Sequence, residues 1–277
     1  MDDTSATAGT KRLWPLGIFL FLSAALSWTV WLWPIDSRER SVSFVFGLEF
    51  KIQLFSMKLA IGNCLPGILA VIWTLFEGKC QFRRMLATLT NWRTPFQWYV
   101  FAVAFPFAVF LAPLEAVLFY FPTDHSLPSA IEFLQRFLRI LPFATLWEEL
   151  AWRAFALRKL ESRYSRLASA LLLGVYWGVW HIPLWLAEFD SIPISFFFAA
   201  LINVIALSVI FAYLYHRSSE SLPVVILLHT TYDVVATQTS LVAPQFDLYV
   251  NYASMVLTVC LAVAVAAQAR RDNQSSA

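Results

Sequence analysis

Glu148-Glu149-Leu150-Ala151-Trp152-Arg153 sets two adjacent carboxylates and a guanidinium into a stretch that is otherwise apolar. Charged groups at bilayer depth cost roughly 2.5–3.5 kcal/mol each on insertion scales, so ionisable residues there mark candidate functional sites. Residues four apart share a helix face, which aligns Glu149 with Arg153 and Glu148 with Trp152. An ion pair that eases insertion accounts for Glu149 and Arg153 as well as chemistry does. Glu148 is harder to explain structurally, because no basic residue stands three or four positions away. A carboxylate without a counter-ion in an apolar helix has the makings of a general base.

Two other apolar stretches carry possible partners. His181 lies in Trp177-Gly178-Val179-Trp180-His181, and taken alone it reads equally as a packing residue. Trp177, Trp180 and Trp185 are expected to be interfacial packing, and Gly178 to admit a neighbouring helix closely. His229 and Asp233 are again four apart, an arrangement that serves a structural hydrogen bond, a proton relay or an oriented catalytic pair. His125 and His216 fall in loops or at helix ends. Lys58 and Glu115 are candidates for a structural pair, and Asn203 for an interhelical hydrogen bond.

The elements that must hold these groups are membrane helices. Of the 277 residues, 59% are hydrophobic and 14% charged, against about 25% charged in a soluble domain. Mean hydropathy is +0.64. Apolar runs long enough to span predict about eight transmembrane helices near 14–34, 54–76, 96–121, 135–157, 167–187, 193–215, 222–239 and 247–269. The start of the fourth, with Glu132, Arg136 and Arg139, is amphipathic and suits the interface. Alternate loops are basic: Lys79, Arg83, Arg84 and Arg93; Arg158, Lys159, Arg163 and Arg166; Arg217. Lys11-Arg12 and Arg270-Arg271 join that side, while the opposite loops carry Asp124, Glu188, Asp190 and Asp247. The positive-inside rule then places both termini in the cytoplasm. The expected fold is an all-α polytopic membrane bundle at 14–269, with tails at 1–13 and 270–277. The net charge of +2 and the absence of a basic run exclude a nucleic-acid partner. Cys64, Cys80 and Cys260 form no CxxC or Cys/His zinc spacing.

Glu-Glu-x-x-x-Arg, then aromatic-x-x-x-His, then His-x-x-x-Asp or Asn, on three separate membrane helices in that order, resembles the CPBP family. That family comprises CAAX prenyl proteases of the Ras-converting type with bacteriocin-processing and immunity (Abi) proteins. The resemblance covers about residues 135–240 and rests on Glu148-Glu149…Arg153, Trp177…His181 and His229…Asp233. Trp177 stands where Phe is usual, Ala154 where Gly often follows, and Asp233 where Asn is common. An Asn donates to an oxyanion, whereas ionised Asp cannot, so Asp233 is either protonated or orients His229.

The resemblance implies an intramembrane endopeptidase that hydrolyses a membrane-associated, possibly prenylated, peptide near the cytoplasmic face. Glu148 would activate water with His181, His229 beside Asp233 would stabilise the oxyanion, and Glu149 would pair with Arg153. No Ser or Cys nucleophile with an adjacent base is evident, which suits hydrolysis without a covalent intermediate. The expected mechanism uses no cofactor. The alternative is Zn²⁺ held by Glu148, His181 and His229, since two His and a carboxylate form a catalytic ligand set. A rival of another class is a non-enzymatic protein, either a proton-coupled carrier or an inactive peptide-binding scaffold. The expected location is a bacterial cytoplasmic membrane.

Overall fold

The computed structural model describes residues 14–33, 40–43, 49–52, 54–121, 129–188, 194–242 and 244–275. The expected tail at 1–13 and the loop residues Asp36, Arg38, Asp124, His125 and Asp190 lie outside them. Helices dominate: α1 (Trp14–Leu32), α2 (Leu54–Phe76), α3 (Lys79–Leu89) and α4 (Phe96–Tyr120) come first. A rod follows, made of α5 (Ala130–Ile140), a π-helical stretch Leu141–Thr145, α6 (Leu146–Glu149), a second π-helical stretch Leu150–Leu157, and α7 (Arg158–Glu161). The chain ends with α8 (Arg166–Glu188), α9 (Ile194–Arg217), α10 (Leu222–Val242), a 3₁₀ turn Pro244–Phe246 and α11 (Asp247–Ser275).

Among the described residues six helices are long and apolar enough to cross a membrane, namely α1, α2, α4, α8, α9 and α11. The remaining two expected spans are the rod and α10. Both have the length of a crossing helix, but charged and hydroxyl side chains dilute their hydropathy. Those side chains do not face lipid: Glu148, Glu149, Arg153, His229, Thr230 and Thr231 are all buried. Polarity in these two elements is turned inward, as an intramembrane site requires.

Four details depart from the expected layout. The basic segment after α2 folds into α3, which buries Met85 and Thr88 and turns Arg83 and Arg84 outward. The mixed-charge loop after α1 holds a short antiparallel hairpin, β1 (Arg40–Ser43) with β2 (Glu49–Ile52), Arg40 opposite Ile52. Helix α11 continues to Ser275, past the expected end at 269. The Lys58 ammonium donates to the Trp33 carbonyl at 2.8 Å rather than pairing with Glu115, which is exposed.

The basic loops gather at one end of the bundle. Lys159 pairs with Glu77, Arg84 with Glu220, His216 with Glu161 and Arg217 with Asp272. Asn91 ties the same end by donating to the Ser219 carbonyl and accepting from Ser221 Oγ. Ser219 and Glu220 sit at φ 59° and 61°, a left-handed conformation costly for side chains of this kind, and the Asn91 bonds hold this turn. The opposite end opens α5 with a capping box, Ser129 and Glu132 each accepting from the other's backbone N–H. That backbone bond, with the Ser129 hydroxyl, holds the exposed Glu132 carboxyl below its usual range.

Close approach and hydrogen bonds to backbone carbonyls hold the helices together, as expected where lipid removes the hydrophobic drive between them. Ser27 donates to Gly62 on α2, Trp28 to Trp180 and Tyr176 to Leu20 between α1 and α8, and Ser208 on α9 to Ala170 on α8. Asn203 on α9 donates to Tyr232 Oη on α10 at 2.8 Å. The closest approach to a neighbouring backbone seats α2 on the rod. A Cβ at Gly67 would lie 2.4 Å from the Trp147 carbonyl oxygen and 2.7 Å from Trp147 Cα. Because both obstacles are backbone, the G67A variant has to push α2 off the rod. We expect it to lose about 1–3 kcal/mol, read as a lower midpoint in thermal unfolding of the detergent-solubilised protein.

Candidate active site

Helix α6 carries Glu148 and Glu149 between the two π-helical stretches. Wide turns of this kind occur mostly at functional sites, and their carbonyls need partners other than the usual ladder. Here the Trp147 indole donates to the Pro142 carbonyl at 2.9 Å, and the Cys64 thiol of α2 to the Phe143 carbonyl at 3.3 Å. Thr145 and Thr230 meet Oγ to Oγ at 2.7 Å. Thr230 spends its proton on the Ile226 carbonyl, so Thr145 is the donor between them. That bond locks α10 to the rod one residue from His229.

Glu149 and Arg153 are fully buried, and Arg153 Nη1 donates to Glu149 Oε1 at 3.0 Å. The same oxygen takes His229 Nδ1 from α10 at 2.7 Å. His229 Nε2 stands 3.6 Å from Asp233 Oδ2, within ion-pair reach but too long for a hydrogen bond. A chain therefore runs Arg153–Glu149–His229–Asp233 across two helices. The carboxylate that orients His229 is Glu149; Asp233 is a looser charged neighbour, with its side chain 37% exposed. Of the two roles expected for Asp233, protonated or orienting His229, the second is filled here by the Glu149 bond.

The Arg153 guanidinium is fully buried, and among the described residues its Nε and Nη2 have no hydrogen-bond partner. Its central carbon lies 4.6 Å from the ring centroids of both Trp177 and Phe211. Two aromatic faces thus supply part of what solvent would, a contact that strengthens when desolvated.

Glu148 is 3% exposed. Its Oε2 accepts from Trp177 Nε1 at 2.9 Å and, at the limit of the interaction, from Trp152 Nε1 at 3.4 Å. Among the described residues no side chain bonds its Oε1, so the lone pairs of that oxygen are uncommitted. His181 Nδ1 lies 2.8 Å from the Trp177 carbonyl; a carbonyl only accepts, so Nδ1 carries the proton and Nε2 the lone pair. The His181 ring stacks on Trp185 at 5.6 Å and 12° and packs edgewise on Trp180.

Trp177 and Trp180 are 2% and 0% exposed, so the expectation that they pack at the membrane interface is wrong. The indole of Trp177 instead meets Glu148, Arg153, His181 and His229, the last two at 5.6 and 5.4 Å between ring centroids. Sequence reasoning placed Trp177 in the aromatic-x-x-x-His motif but gave it no role beyond packing, because its contacts come from other helices. Gly178 admits α9 as expected, a Cβ there falling 2.3 Å from Leu201 Cδ1.

The zinc alternative needs Glu148, His181 and His229 to converge. Among the described residues no three His, Cys, Asp or Glu side chains stand together so as to hold a metal ion. His229 and His181 each commit Nδ1 and leave Nε2, so their hydrogen bonds are compatible with either mechanism.

Comparison with known proteins falls on this same region. Residues 130–235 match the family model described as type II CAAX prenyl endopeptidase Rce1-like. A curated relative, CAAX prenyl protease 2 of Methanococcus maripaludis, is 45% identical over 47 residues. That stretch is 17% of this chain and 17% of the relative's length.

Removing one partner of a buried ion pair strands the other and costs about 3–5 kcal/mol. The R153M variant is expected to show a loss of that size in thermal unfolding. The double variant R153M/E149Q should recover part of it, since no lone charge is left.

Proposed function

We propose, from the premise that residues 130–235 make this chain a member of the CPBP family, that it is an intramembrane endopeptidase. It hydrolyses a peptide bond of a membrane-associated, possibly prenylated, protein. The observation that carries this reading is the pairing of an open carboxylate oxygen with two histidines around one buried indole. The rod and α10 cross the membrane with the six apolar helices, giving eight spans. Both termini and the cluster of basic loops face the cytoplasm of a bacterial cell, in keeping with the positive-inside rule.

In the reaction, Glu148 Oε1 takes a proton from water as that water attacks the scissile carbonyl. His181 Nε2 accepts the water's second hydrogen and so aims its lone pair. His229, with Nδ1 held by Glu149, is aimed at the space before Asp233. Protonated, it donates from Nε2 to the oxyanion that forms there. The gap of 3.6 Å to Asp233 leaves the donor free to turn to a new acceptor. Glu148 then passes its proton to the leaving amine, and the products are a carboxylate and an amine. No covalent enzyme intermediate and no metal is needed. His229 lies seven residues into α10, about 10 Å from its basic end at 1.5 Å per residue, so cleavage takes place near the cytoplasmic surface.

The test is cleavage of a farnesylated CAAX peptide and a panel of unmodified apolar peptides by detergent-purified protein. E148A is expected to lose about a hundred- to ten-thousandfold in kcat, the range for a missing general base. Equal rates for E148A and wild type would remove Glu148 from the reaction. A chelator is expected to leave the wild-type rate unchanged; loss restored by zinc would establish the metal route. If folded wild type cleaves nothing in the panel, the carrier or scaffold reading gains. Among the supporting carboxylates, E149Q should cost more activity than D233N, because Glu149 makes the 2.7 Å bond to His229.

A further inference from the structure

We infer that Trp177 is the positioning residue of the site: its indole N–H fixes the Glu148 carboxylate with one oxygen turned toward the reacting water. The inference rests on the proposed hydrolysis. Glu148 Oε2 takes the indole proton at 2.9 Å, while the second indole, Trp152, stands at 3.4 Å. Both donors converge on one oxygen, so the carboxylate can neither rotate nor exchange its oxygens without giving up its stronger bond. Oε1 is thereby committed to face away from α8's indole. The same ring stacks over the Arg153 guanidinium at 4.6 Å and meets His229 edgewise at 5.4 Å. The residue's own backbone carbonyl accepts from His181 Nδ1 at 2.8 Å, which sets the tautomer of that ring. One residue of α8 thus positions the base, the cation beneath it and the water-holding histidine together. A phenylalanine there would retain an aromatic face over Arg153 and the carbonyl to His181, and lose the N–H together with one ring of the indole.

That difference makes the role separable from packing. In the peptide-cleavage assay, W177F is expected to lower kcat about tenfold or more, the size of a lost hydrogen bond to a charged group, with KM within twofold of wild type. Thermal unfolding of W177F within a few degrees of wild type would accompany it. Wild-type kcat in W177F, alongside an inactive E148A, overturns the inference and leaves the protease reading intact. Inactivity of wild type itself overturns the protease reading instead. The contact is read independently in ¹⁵N-indole-labelled protein, where the Trp177 N–H resonance, assigned by its loss in W177F or W177Y, should move in E148Q. If no indole resonance moves in E148Q, the inference is overturned even where the Trp177 variants fail to fold.

Discussion

A guanidinium with no solvent exposure must be neutralised within the protein, and in this bundle Glu149 does it. Burying two charges is costly, and their attraction repays it only with good geometry and further hydrogen bonds. The further bond here is His229 Nδ1, delivered from α10. The rod and α10 are thus bound by electrostatics before side-chain packing contributes. The Thr145–Thr230 hydroxyl pair repeats the connection one turn away on the rod. Were α10 to rotate, it would break both contacts and leave a buried charge unpaired.

Satisfying that network constrains the surrounding helices. The π-helical stretches flanking α6 widen the rod and shift the facing of its side chains, so that Glu149 reaches α10 while Glu148 reaches α8. Adjacent carboxylates on a regular helix diverge by about 100°, and here the divergence separates their duties. Glu149 Oε1 takes both Arg153 and His229, whereas Glu148 is held by two neutral indole donors. A charge-assisted bond from a neutral donor restrains a carboxylate without supplying a counter-ion, which preserves its capacity as a base. Helix α2 backs this arrangement through Gly67, which lets the two backbones approach so closely that no side chain fits between them.

Much of this was legible in the residues. Helix positions followed from apolar run length, since backbone groups in lipid must be satisfied within a helix. The Glu149–Arg153 pair followed from i,i+4 spacing, and six site residues could be named from ionisable groups in apolar surroundings. What escaped were the pairings of the site across helices. Glu149 and His229 are 80 residues apart and Glu148 and Trp177 29, and neither pairing has a local signature. Trp177 was placed in a motif but read as interfacial packing, because only its burial distinguishes an indole in the core from one at the headgroups. Asp233 was assigned the neighbour it shares a helix face with, and the better-placed carboxylate came from another helix.

By itself, then, the sequence determined the class of protein and the inventory of its chemistry. Hydrophobic runs separated by alternating basic loops specify a helical membrane bundle, and ionisable groups inside such runs must face one another rather than lipid. Tertiary structure alone decided which group faces which. Helix rotation and the widened turns aim each carboxylate oxygen, and they depend on contacts such as Gly67 against Trp147 and Thr145 against Thr230. The local pattern is a property of a single helix, whereas the site is a property of how several helices are turned toward one another.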